Sequence, residues 1–359
     1  MTKRVVVVGS GAAGTAAAIS ARAAGAEVTL VRGRAGASAL GSGALDQEID
    51  DDAKSIVAAL ELYEVGACTV ATSAGVLRKT SGRDLALLDL DQVKGPVLVA
   101  RVAHVAWDAD ALAAAFSERD APKERWAFVA RDVGLVLHTD ERAMSHVELA
   151  ARHDDPARLA RAAERIQSAL EGAAAVLLPP WLGAASPRTR ELSALVGVPC
   201  GEVLAAIDGP AGVRFEHARD RCLQNAHIDT RPGRVNRVSE GKVVLASGEE
   251  LACDAVVLAT GGVLAGGIVY TPGERATFAL SYDAPVELGL GGRPLVVPGS
   301  VYGVPPESLV WPGGRGLERV GIVAGSRAIH PCGDCVEGRP RTMLEAFASG
   351  ARAGRRAAG

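Results

Sequence analysis

Three glycines near the beginning of the sequence have the spacing of a phosphate-binding turn. They are Gly9, Gly11 and Gly14, with Ala12 and Ala13 between the last two, and they follow the apolar run at residues 4–8. In such a turn the first glycine allows a tight strand-to-helix connection. The second lets backbone approach a pyrophosphate, and the third lets the helix pack on the strand. Because the helix N-terminus then faces the phosphate, the motif predicts a nucleotide- or flavin-binding loop.

Arg32 stands at the position where dinucleotide-binding proteins usually carry an acid. A Glu or Asp at the end of the second strand would accept hydrogen bonds from ribose hydroxyls, and an arginine cannot accept them. Three alternatives follow: the adenosine half is held differently, the ligand is FMN and lacks it, or Arg32 meets a phosphate as in NADP enzymes. The fold geometry favours FAD, with FMN as the second choice.

The elements that position these residues form a βαβ pattern. Strands are predicted at residues 4–8 and 27–31, with a helix at about 12–24 between them, so a parallel sheet is expected. Another buried strand ends in a glycine turn at residues 254–262, and residues 329–334 precede a final helix at about 342–358. The predicted class is α/β, a Rossmann-like FAD/NAD(P)-binding fold with a parallel sheet plus an inserted α/β substrate or cap region.

The domain boundaries follow from this order of elements. Residues 1–79 and 208–359 are predicted to form one discontinuous flavin-binding domain, since nucleotide-fold segments occur at both ends of the sequence. Residues 80–207 are predicted as the inserted substrate, cap or partner-binding region. Within it, a helical stretch at 156–171 precedes a short apolar run at 174–178.

Composition narrows the class of protein. The 359 residues carry a net charge of -3, with 23% charged residues, which gives no electrostatic basis for binding nucleic acid. No run of 18 apolar residues occurs, so any membrane contact is expected through a partner. The run at residues 4–8 is too short for a signal peptide, and six cysteines are therefore expected as reduced thiols in the cytoplasm.

Three segments together resemble flavoproteins with a glutathione-reductase-like or succinate-dehydrogenase-like fold. They are the glycine motif, Ala259-Thr-Gly-Gly262, and Gly333-Asp334 ahead of the last helix. More narrowly, the sequence is similar to the family of second flavoprotein subunits in anaerobic glycerol-3-phosphate dehydrogenases. The similarity lies in Ser38-Ala-Leu-Gly-Ser-Gly-Ala-Leu-Asp46 and in segments at 177–183, 198–200, 210–214, 259–267 and 284–290, in the same order.

The resemblance implies an activity and an assembly. It implies oxidation of sn-glycerol 3-phosphate to dihydroxyacetone phosphate. It also implies two partners, a catalytic flavin subunit plus an iron-sulfur subunit that passes electrons to menaquinone. The protein would then be cytoplasmic and peripheral at the inner membrane through its partner. Two alternatives remain: a stand-alone fumarate-reductase-type enzyme acting on another small anion, and a flavin-bearing or empty scaffold subunit that relays electrons.

The resemblance also implies residues that contact the cofactor. Ser38, Ser42 and Gly43 would lie on the loop beneath the isoalloxazine ring, where small residues leave room for it. Thr260 and Gly261 belong to the Thr-Gly-Gly turn. In the last segment, Gly333 and Asp334 would sit at the flavin, with Asp334 accepting a hydrogen bond from the ribityl chain. The helix that follows would point its positive N-terminus at the flavin N1–C2=O region.

Alcohol oxidation requires a base and, for a phosphorylated substrate, a cation. The resemblance places Arg214 in a Pro-x-Gly-x-Arg segment, which makes it the first candidate for the cation, followed by Arg339 and Arg341. His217, three residues after Arg214 in a predicted helix, is the first candidate for the base, followed by His227 and His330.

The pair Cys332 and Cys335 is a single Cys-x-x-Cys, which is too few ligands for a zinc or iron-sulfur site. No metal is therefore predicted, and a redox dithiol beside the flavin remains an alternative.

Overall fold

The computed structural model describes residues 2–47, 50–119, 126–205, 209–269, 277–278, 281–282, 289–291 and 320–359. The α-helices in these ranges are α1 (Ala12–Ala23), α2 (Asp51–Leu60), α3 (Ala109–Arg119), α4 (His146–Arg152), α5 (Pro156–Ala169), α6 (Thr189–Val196), α7 (Ala211–Asn225) and α8 (Met343–Ala358). The first ten strands are β1 (Arg4–Val8), β2 (Glu27–Arg32), β3 (Ala44–Leu45), β4 (Tyr63–Ala71), β5 (Leu77–Asp84), β6 (Gly95–Arg101), β7 (Trp126–Asp132), β8 (Ala175–Leu178), β9 (Cys200–Glu202) and β10 (Asp229–Pro232). The remaining strands are β11 (Val235–Ser239), β12 (Lys242–Leu245), β13 (Glu250–Ala252), β14 (Ala255–Leu258), β15 (Ile268–Val269), β16 (Thr277–Phe278), β17 (Ser281–Tyr282), β18 (Gly289–Gly291), β19 (Gly321–Ala324) and β20 (Ile329–Pro331).

The chain forms two compact units, each of which is discontinuous in sequence. Unit 1 comprises Met1–Ala39, Ile49–Ala59 and Arg219–Gly359, and unit 2 comprises Leu40–Glu48 and Leu60–Ala218. The sequence boundaries at residues 79 and 208 do not coincide with these limits. Strand β4 pairs antiparallel with β5, so a boundary at residue 79 would cut through a hairpin that belongs to unit 2.

Unit 1 is built on a five-stranded sheet with the order β10-β2-β1-β14-β20. Every neighbouring pair in this sheet is parallel. Its central strand β1 contains four consecutive buried valines, as expected for a strand that is covered on both faces. Strands β2 and β10 extend from β1 on one side, and β14 and β20 on the other. The order therefore reverses between β1 and β14, which is the switch point of a doubly wound fold.

Unit 1 also contains short strand pairings outside this sheet. Strands β11, β12 and β13 form successive antiparallel pairs, and β17 pairs in parallel with β11. The turn between β11 and β12 contains Gly241 at φ +87°, a conformation that favours glycine. Of the family-like segment at 284–290, residues 284–288 lie outside the described residues.

Unit 2 contains a second parallel sheet, with the order β7-β6-β8-β9, and an antiparallel sheet, β3-β5-β4. Its core includes Trp181 and Phe116, both at 1% exposure. Helix α5 begins at Pro156 behind the cap of Asp155, as proline at a first helical position favours. The predicted α/β class with parallel sheets is thus confirmed.

Among the helices that the structure describes, none combines the length and the apolar character needed to cross a membrane.

Candidate cofactor-binding site

The three signature segments leave the same edge of the unit 1 sheet. Strands β1, β14 and β20 are parallel, and Val8 aligns with Leu258, which aligns with Pro331. The glycine motif, the Thr-Gly-Gly turn and the Gly-Asp segment each begin directly after these aligned residues. In open α/β sheets, ligands bind outside the carboxyl ends of the strands, at the switch point. The three segments, at residues 9–14, 259–262 and 333–334, are distant in sequence. They therefore come together where this fold binds ligands.

Two glycines of the motif are required by packing. A Cβ added at Gly9 would lie 2.2 Å from the carbonyl oxygen of Ala259, and Gly9 has φ +107°. A Cβ added at Gly14 would lie 1.8 Å from the carbonyl oxygen of Gly9. Any side chain at either position would displace backbone, so these two residues fix the strand-to-helix turn.

Gly11 has a different environment. It caps the N-terminus of α1 at φ -69°, a conformation that other residues also adopt. A Cβ added there would meet only the Ser38 hydroxyl, at 3.4 Å. The absence of a side chain at Gly11 therefore leaves space beside the helix N-terminus, as the approach of a pyrophosphate requires.

Ser38 lies at this helix N-terminus, while the place beneath the isoalloxazine ring that the resemblance implied for it stays a prediction. Its Oγ accepts a hydrogen bond from the Ala12 backbone N–H at 2.9 Å. Because a hydroxyl can donate while it accepts, Ser38 keeps a hydrogen for a bound anion. Ala13 is also enclosed, since a Cβ added at Gly333 would lie 2.6 Å from its Cβ.

The Thr-Gly-Gly turn and the Gly-Asp segment pack directly on each other. A Cβ added at Gly262 would lie 2.6 Å from the Asp334 carbonyl oxygen. Gly261 and Gly333 have φ +74° and φ +68°, which favours glycine at both positions. The Cys335 thiol donates to the carbonyl oxygen of Leu258, the last residue of β14, at 3.2 Å. These contacts join the two segments into one surface at the end of β14.

Asp334 is half-buried, and no residue in the described parts of the chain donates a hydrogen bond to its carboxylate. Burial raises the pKa of Asp334, and the Arg341 guanidinium opposes that shift. Arg341 itself donates to the carbonyl oxygens of Asp334 and Val320. A carboxylate at this edge of the sheet that accepts no hydrogen bond from the described residues fits a hydroxyl-bearing ligand such as the ribityl chain.

The helix after Asp334 does not begin directly after strand β20. Helix α8 starts at Met343, and its cap Thr342 accepts from the Glu345 N–H at 3.2 Å. Its contact with the Gly-Asp segment comes from Ser349, whose hydroxyl accepts from the Gly333 N–H at 3.0 Å. The helix thus supports Gly333 through a side chain in its second turn.

Arg32 forms an ion pair that the sequence did not suggest. Its Nη1 donates to Asp220 Oδ2 at 2.8 Å, and Asp220 Oδ1 accepts from Arg219 Nε at 2.8 Å. Arg219 is 2% exposed and its Nη1 donates to the Ser10 carbonyl oxygen at 3.4 Å. The signal in the sequence was the Arg-Asp-Arg run at 219–221, whose distance from Arg32 along the chain gave no reason to join them.

Arg214 was predicted as a substrate cation, and the structure contradicts this. It is 1% exposed and lies in unit 2, where its Nε donates to Asp84 at 2.8 Å and its Nη2 to Glu202 at 2.8 Å. Its Nη1 donates to the Gly183 carbonyl oxygen at 2.7 Å. With its nitrogens bonded and its surface covered, Arg214 serves as an internal cross-link instead.

The other predicted catalytic residues are not gathered into a site. His217 is exposed on α7 within unit 2. Arg339 belongs to unit 1, and its side chain is 52% exposed. Its Nη1 lies 3.6 Å from Glu345 Oε1. His227 is exposed, and His330 is half-buried with a pKa lowered by burial. No base-and-cation pair is therefore assembled from these residues within either unit.

Ser42 and Gly43 belong to unit 2. Gly43 has φ +92°, and a Cβ there would lie 2.9 Å from the Asp84 Cβ. Its carbonyl oxygen accepts from the Asp84 N–H at 2.6 Å. The position of Asp84 thus explains why residue 43 is a glycine, while the predicted contact of Ser42 and Gly43 with a cofactor stays a prediction.

Cys332 and Cys335 are buried free thiols. Burial raises the pKa of both, that of Cys335 to about 11. A reactive thiol needs a lowered pKa and access, so neither sulfur is arranged for redox chemistry. Over the described ranges, no group of three or more His, Cys, Asp or Glu residues gathers as a metal site.

The fold and the site together define a Rossmann-like α/β protein with the loop geometry of FAD- and NAD(P)-binding domains. Residues 3–96 match the model of the pyridine nucleotide-disulphide oxidoreductase family, which is less than half of the chain. This match supports the oxidoreductase class and FAD as the cofactor. It contains nothing specific to the glycerol-3-phosphate dehydrogenases. A comparison with curated proteins finds no significant relative.

Several solved structures are similar to part of this chain. CtdE in complex with FAD is 12% identical with a TM-score of 0.26, covering 73% of this chain and 39% of that one. The peptidyl tryptophan dihydroxylase QhpG is 15% identical with a TM-score of 0.27, covering 73% and 33%. The Diels-Alderase PyrE3 is 11% identical with a TM-score of 0.27, covering 76% and 36%. This chain thus spans well under half the length of these proteins.

Proposed function

We propose that this chain is a flavin-dependent oxidoreductase subunit that binds FAD at the unit 1 switch point. The observation that carries the proposal is the direct packing of three signature segments, Gly9 on Ala259 and Gly262 on Asp334. The loop supplies a place for phosphate oxygens at Gly11 and Ser38, and Asp334 supplies an acceptor for ribityl hydroxyls. When bound, FAD would supply the two-electron acceptor that alcohol oxidation needs.

The glycine motif supports FAD over FMN. The space at Gly11 lies beside the N-terminus of α1, where this type of fold holds a pyrophosphate. FMN carries a single phosphate and has no adenosine half. With FMN bound, the turn formed by the packing at Gly9 and Gly14 would have no pyrophosphate to bind.

The proposed reaction is the oxidation of sn-glycerol 3-phosphate to dihydroxyacetone phosphate. Its support is the family resemblance around Ser38 to Asp46 and in the middle of the sequence. Two electrons and two protons leave the secondary alcohol. The electrons would pass through a partner flavoprotein, then through an iron-sulfur protein, to a quinone. The partner would also hold this chain at the cytoplasmic face of the membrane.

A second candidate function is an electron-relay or scaffold subunit. The burial of Arg214 favours it, because the first predicted substrate cation is occupied by Asp84 and Glu202. In this case the partner would bind the substrate, and the present chain would hold the flavin.

One purification distinguishes these functions. The full chain, produced with and without candidate partners, is examined for flavin absorption near 450 nm, and its pigment is released by acid and separated into FAD and FMN. Glycerol 3-phosphate is then added with a dye acceptor. Bleaching of the isolated chain supports catalysis, and bleaching only in the complex supports the relay. A chain that neither retains nor takes up flavin would refute the proposal.

A further inference from the structure

Asp220 is an accessible carboxylate beside the end of β2. Its side chain is 35% exposed, and that of Arg32 is 37% exposed. Arg32 is the last residue of β2, where dinucleotide-binding folds place the acid that holds the adenosine ribose. The Asp220 carboxylate is one hydrogen bond away from this side chain, at 2.8 Å. The acidic group missing from residue 32 is therefore present beside it, carried by α7.

Arg219 ties this carboxylate to the phosphate-binding loop. Its Nε donates to Asp220 Oδ1, while its Nη1 donates to the carbonyl oxygen of Ser10, between Gly9 and Gly11. Thr15 also donates to the Ser10 carbonyl oxygen, at 3.4 Å. Asp220 is thus held from two sides, by β2 through Arg32 and by the loop through the buried Arg219.

We propose that Asp220 accepts the hydrogen bonds of the adenosine ribose hydroxyls of FAD, in place of the acid that Arg32 replaces. This inference rests on the proposed binding of FAD in unit 1. Asp220 would then be a binding residue for the adenosine half of the cofactor, and Arg32 and Arg219 would position it.

The hydrogen bonds of Asp220 leave capacity for a diol. Each carboxylate oxygen has two acceptor positions, and the bonds from Arg32 and Arg219 use one on each oxygen. Burial raises the pKa of Asp220, but the bonds from both guanidinium groups outweigh burial and lower it. The group is therefore ionised at neutral pH and acts as an acceptor only, which suits two ribose hydroxyls.

The same arrangement disfavours a 2′-phosphate. Arg32 already donates to Asp220, and an incoming phosphate would lie against a carboxylate of like charge. A site for NADP-type ligands needs an arginine that is free to bind the phosphate. The structure therefore predicts recognition of an unphosphorylated ribose.

Binding measurements on the full chain test this inference. The apoprotein is titrated calorimetrically with FAD, FMN, ADP, 2′,3′-dideoxy-ADP and 2′-phospho-ADP. Wild-type protein is expected to bind ADP about 10- to 100-fold more tightly than dideoxy-ADP, as expected for lost hydrogen bonds to a charged acceptor. It is also expected to bind 2′-phospho-ADP more weakly than ADP.

Asp220→Asn is the decisive variant, and Asp229→Asn is its control. Asp229 is a 51% exposed carboxylate in unit 1 that pairs with Arg231, so it matches the change in charge. D220N is expected to weaken FAD binding by about 10-fold or more and to leave FMN binding unchanged. It should also abolish the preference for ADP over dideoxy-ADP. D229N is expected to behave as wild type.

The outcomes separate this inference from the proposed function. Wild-type protein that binds FAD but fails to distinguish ADP from dideoxy-ADP would overturn the role of Asp220, even if D220N does not fold. The role also fails if D220N and D229N bind FAD equally, or if 2′-phospho-ADP binds more tightly than ADP and loses that advantage in Arg32→Gln. Wild-type protein that binds none of the five ligands refutes the proposed function, and this inference falls with it.

Discussion

Gly350 of α8 lies directly against the backbone of Ala13 in α1. A Cβ added at Gly350 would be 2.1 Å from the Ala13 carbonyl oxygen, and one at Gly354 would be 2.1 Å from the Ala17 carbonyl oxygen. The two helices therefore meet backbone to backbone, with no side chain between them. Ala13 belongs to the glycine motif, so the last helix of the chain supports the helix whose N-terminus forms the phosphate site.

Gly350→Ala is expected to lower the free energy of unfolding by about 1–3 kcal/mol, because the added methyl group has to push the helices apart. Flavin content after purification should fall with it. Urea unfolding and the ratio of absorbance near 450 nm to that near 280 nm measure the two effects. Arg356→Ala, on an exposed position of the same helix, should leave both unchanged. A G350A variant as stable as R356A would show that the close approach of the helices is not required.

Gly14→Ala is expected to lower the stability of the fold, and Gly11→Ala to lower the affinity for FAD. In G14A the methyl group would lie 1.8 Å from the Gly9 carbonyl oxygen, so we expect a less stable fold. In G11A it would meet only Ser38 at 3.4 Å, and we expect stability within ~1 kcal/mol of wild type. FAD affinity in G11A should nevertheless fall at least ~10-fold, because the methyl group fills the approach to the helix N-terminus. Wild-type affinity in a folded G11A protein would contradict the phosphate site.

The phosphate loop was predictable because its signal is local. Gly9, Gly11 and Gly14 are placed by three successive elements, which the apolar run and the helical pattern of the sequence specify together. The same reasoning located β14 and the last helix to within a few residues. The parallel pairing of β1 with β2 was also predictable, since a βαβ unit requires it.

The ion pairs were not predictable, because they join residues that are distant in sequence. Arg32 meets Asp220 188 residues away, and Arg214 meets Asp84 130 residues away. A pattern in one sequence shows that Arg214 lies on a helix, but it does not show which face of that helix is buried. The prediction of a catalytic Arg214 was wrong for this reason.

Arg214→Met should destabilise unit 2 by about 3–5 kcal/mol, because it leaves the carboxylates of Asp84 and Glu202 buried without their cation. Urea unfolding followed by tryptophan fluorescence reports mainly on this unit, which holds three of the four tryptophans, among them the buried Trp126 and Trp181. Arg339→Met, at a half-exposed ion pair, is expected to cost about 0–1 kcal/mol. If R214M is as stable as R339M, the cross-link has no structural importance.

The thiols of the native protein should be slow to react. All six cysteines are free and buried, and burial raises the pKa of Cys335 to about 11 and that of Cys253 to about 11. Since the thiolate is the reactive form, Ellman's reagent at pH 8 is expected to modify less than one thiol per chain within minutes. Addition of urea should then expose all six. Rapid modification of Cys332 or Cys335 in the folded protein, identified by mass spectrometry, would restore the redox dithiol.

The stability of unit 2 should depend on pH through Glu202. Burial raises the pKa of Glu202 to about 7, and Arg214 opposes that shift without cancelling it. In the unfolded chain the pKa of Glu202 is ~4.3. Between this pH and pH ~7, Glu202 is therefore protonated in the folded state and ionised in the unfolded state. The contribution of Glu202 to the free energy of unfolding is therefore greatest below its pKa in the unfolded chain. It declines as pH rises through its pKa in the folded protein.

Glu202→Gln removes this titration while keeping an acceptor for the Leu182 N–H. We expect E202Q to be about as stable as wild type at pH 5, because the amide is a neutral isostere of the protonated acid. As pH rises from ~5 to ~8, E202Q should become the more stable of the two, because only wild type loses stability through Glu202 over this range. Glu191→Gln is the matched control, since Glu191 is 43% exposed and pairs with Arg188 at the surface of the same unit. Urea unfolding at each pH provides the measurement, and a constant gap between E202Q and wild type would show that Glu202 does not titrate here.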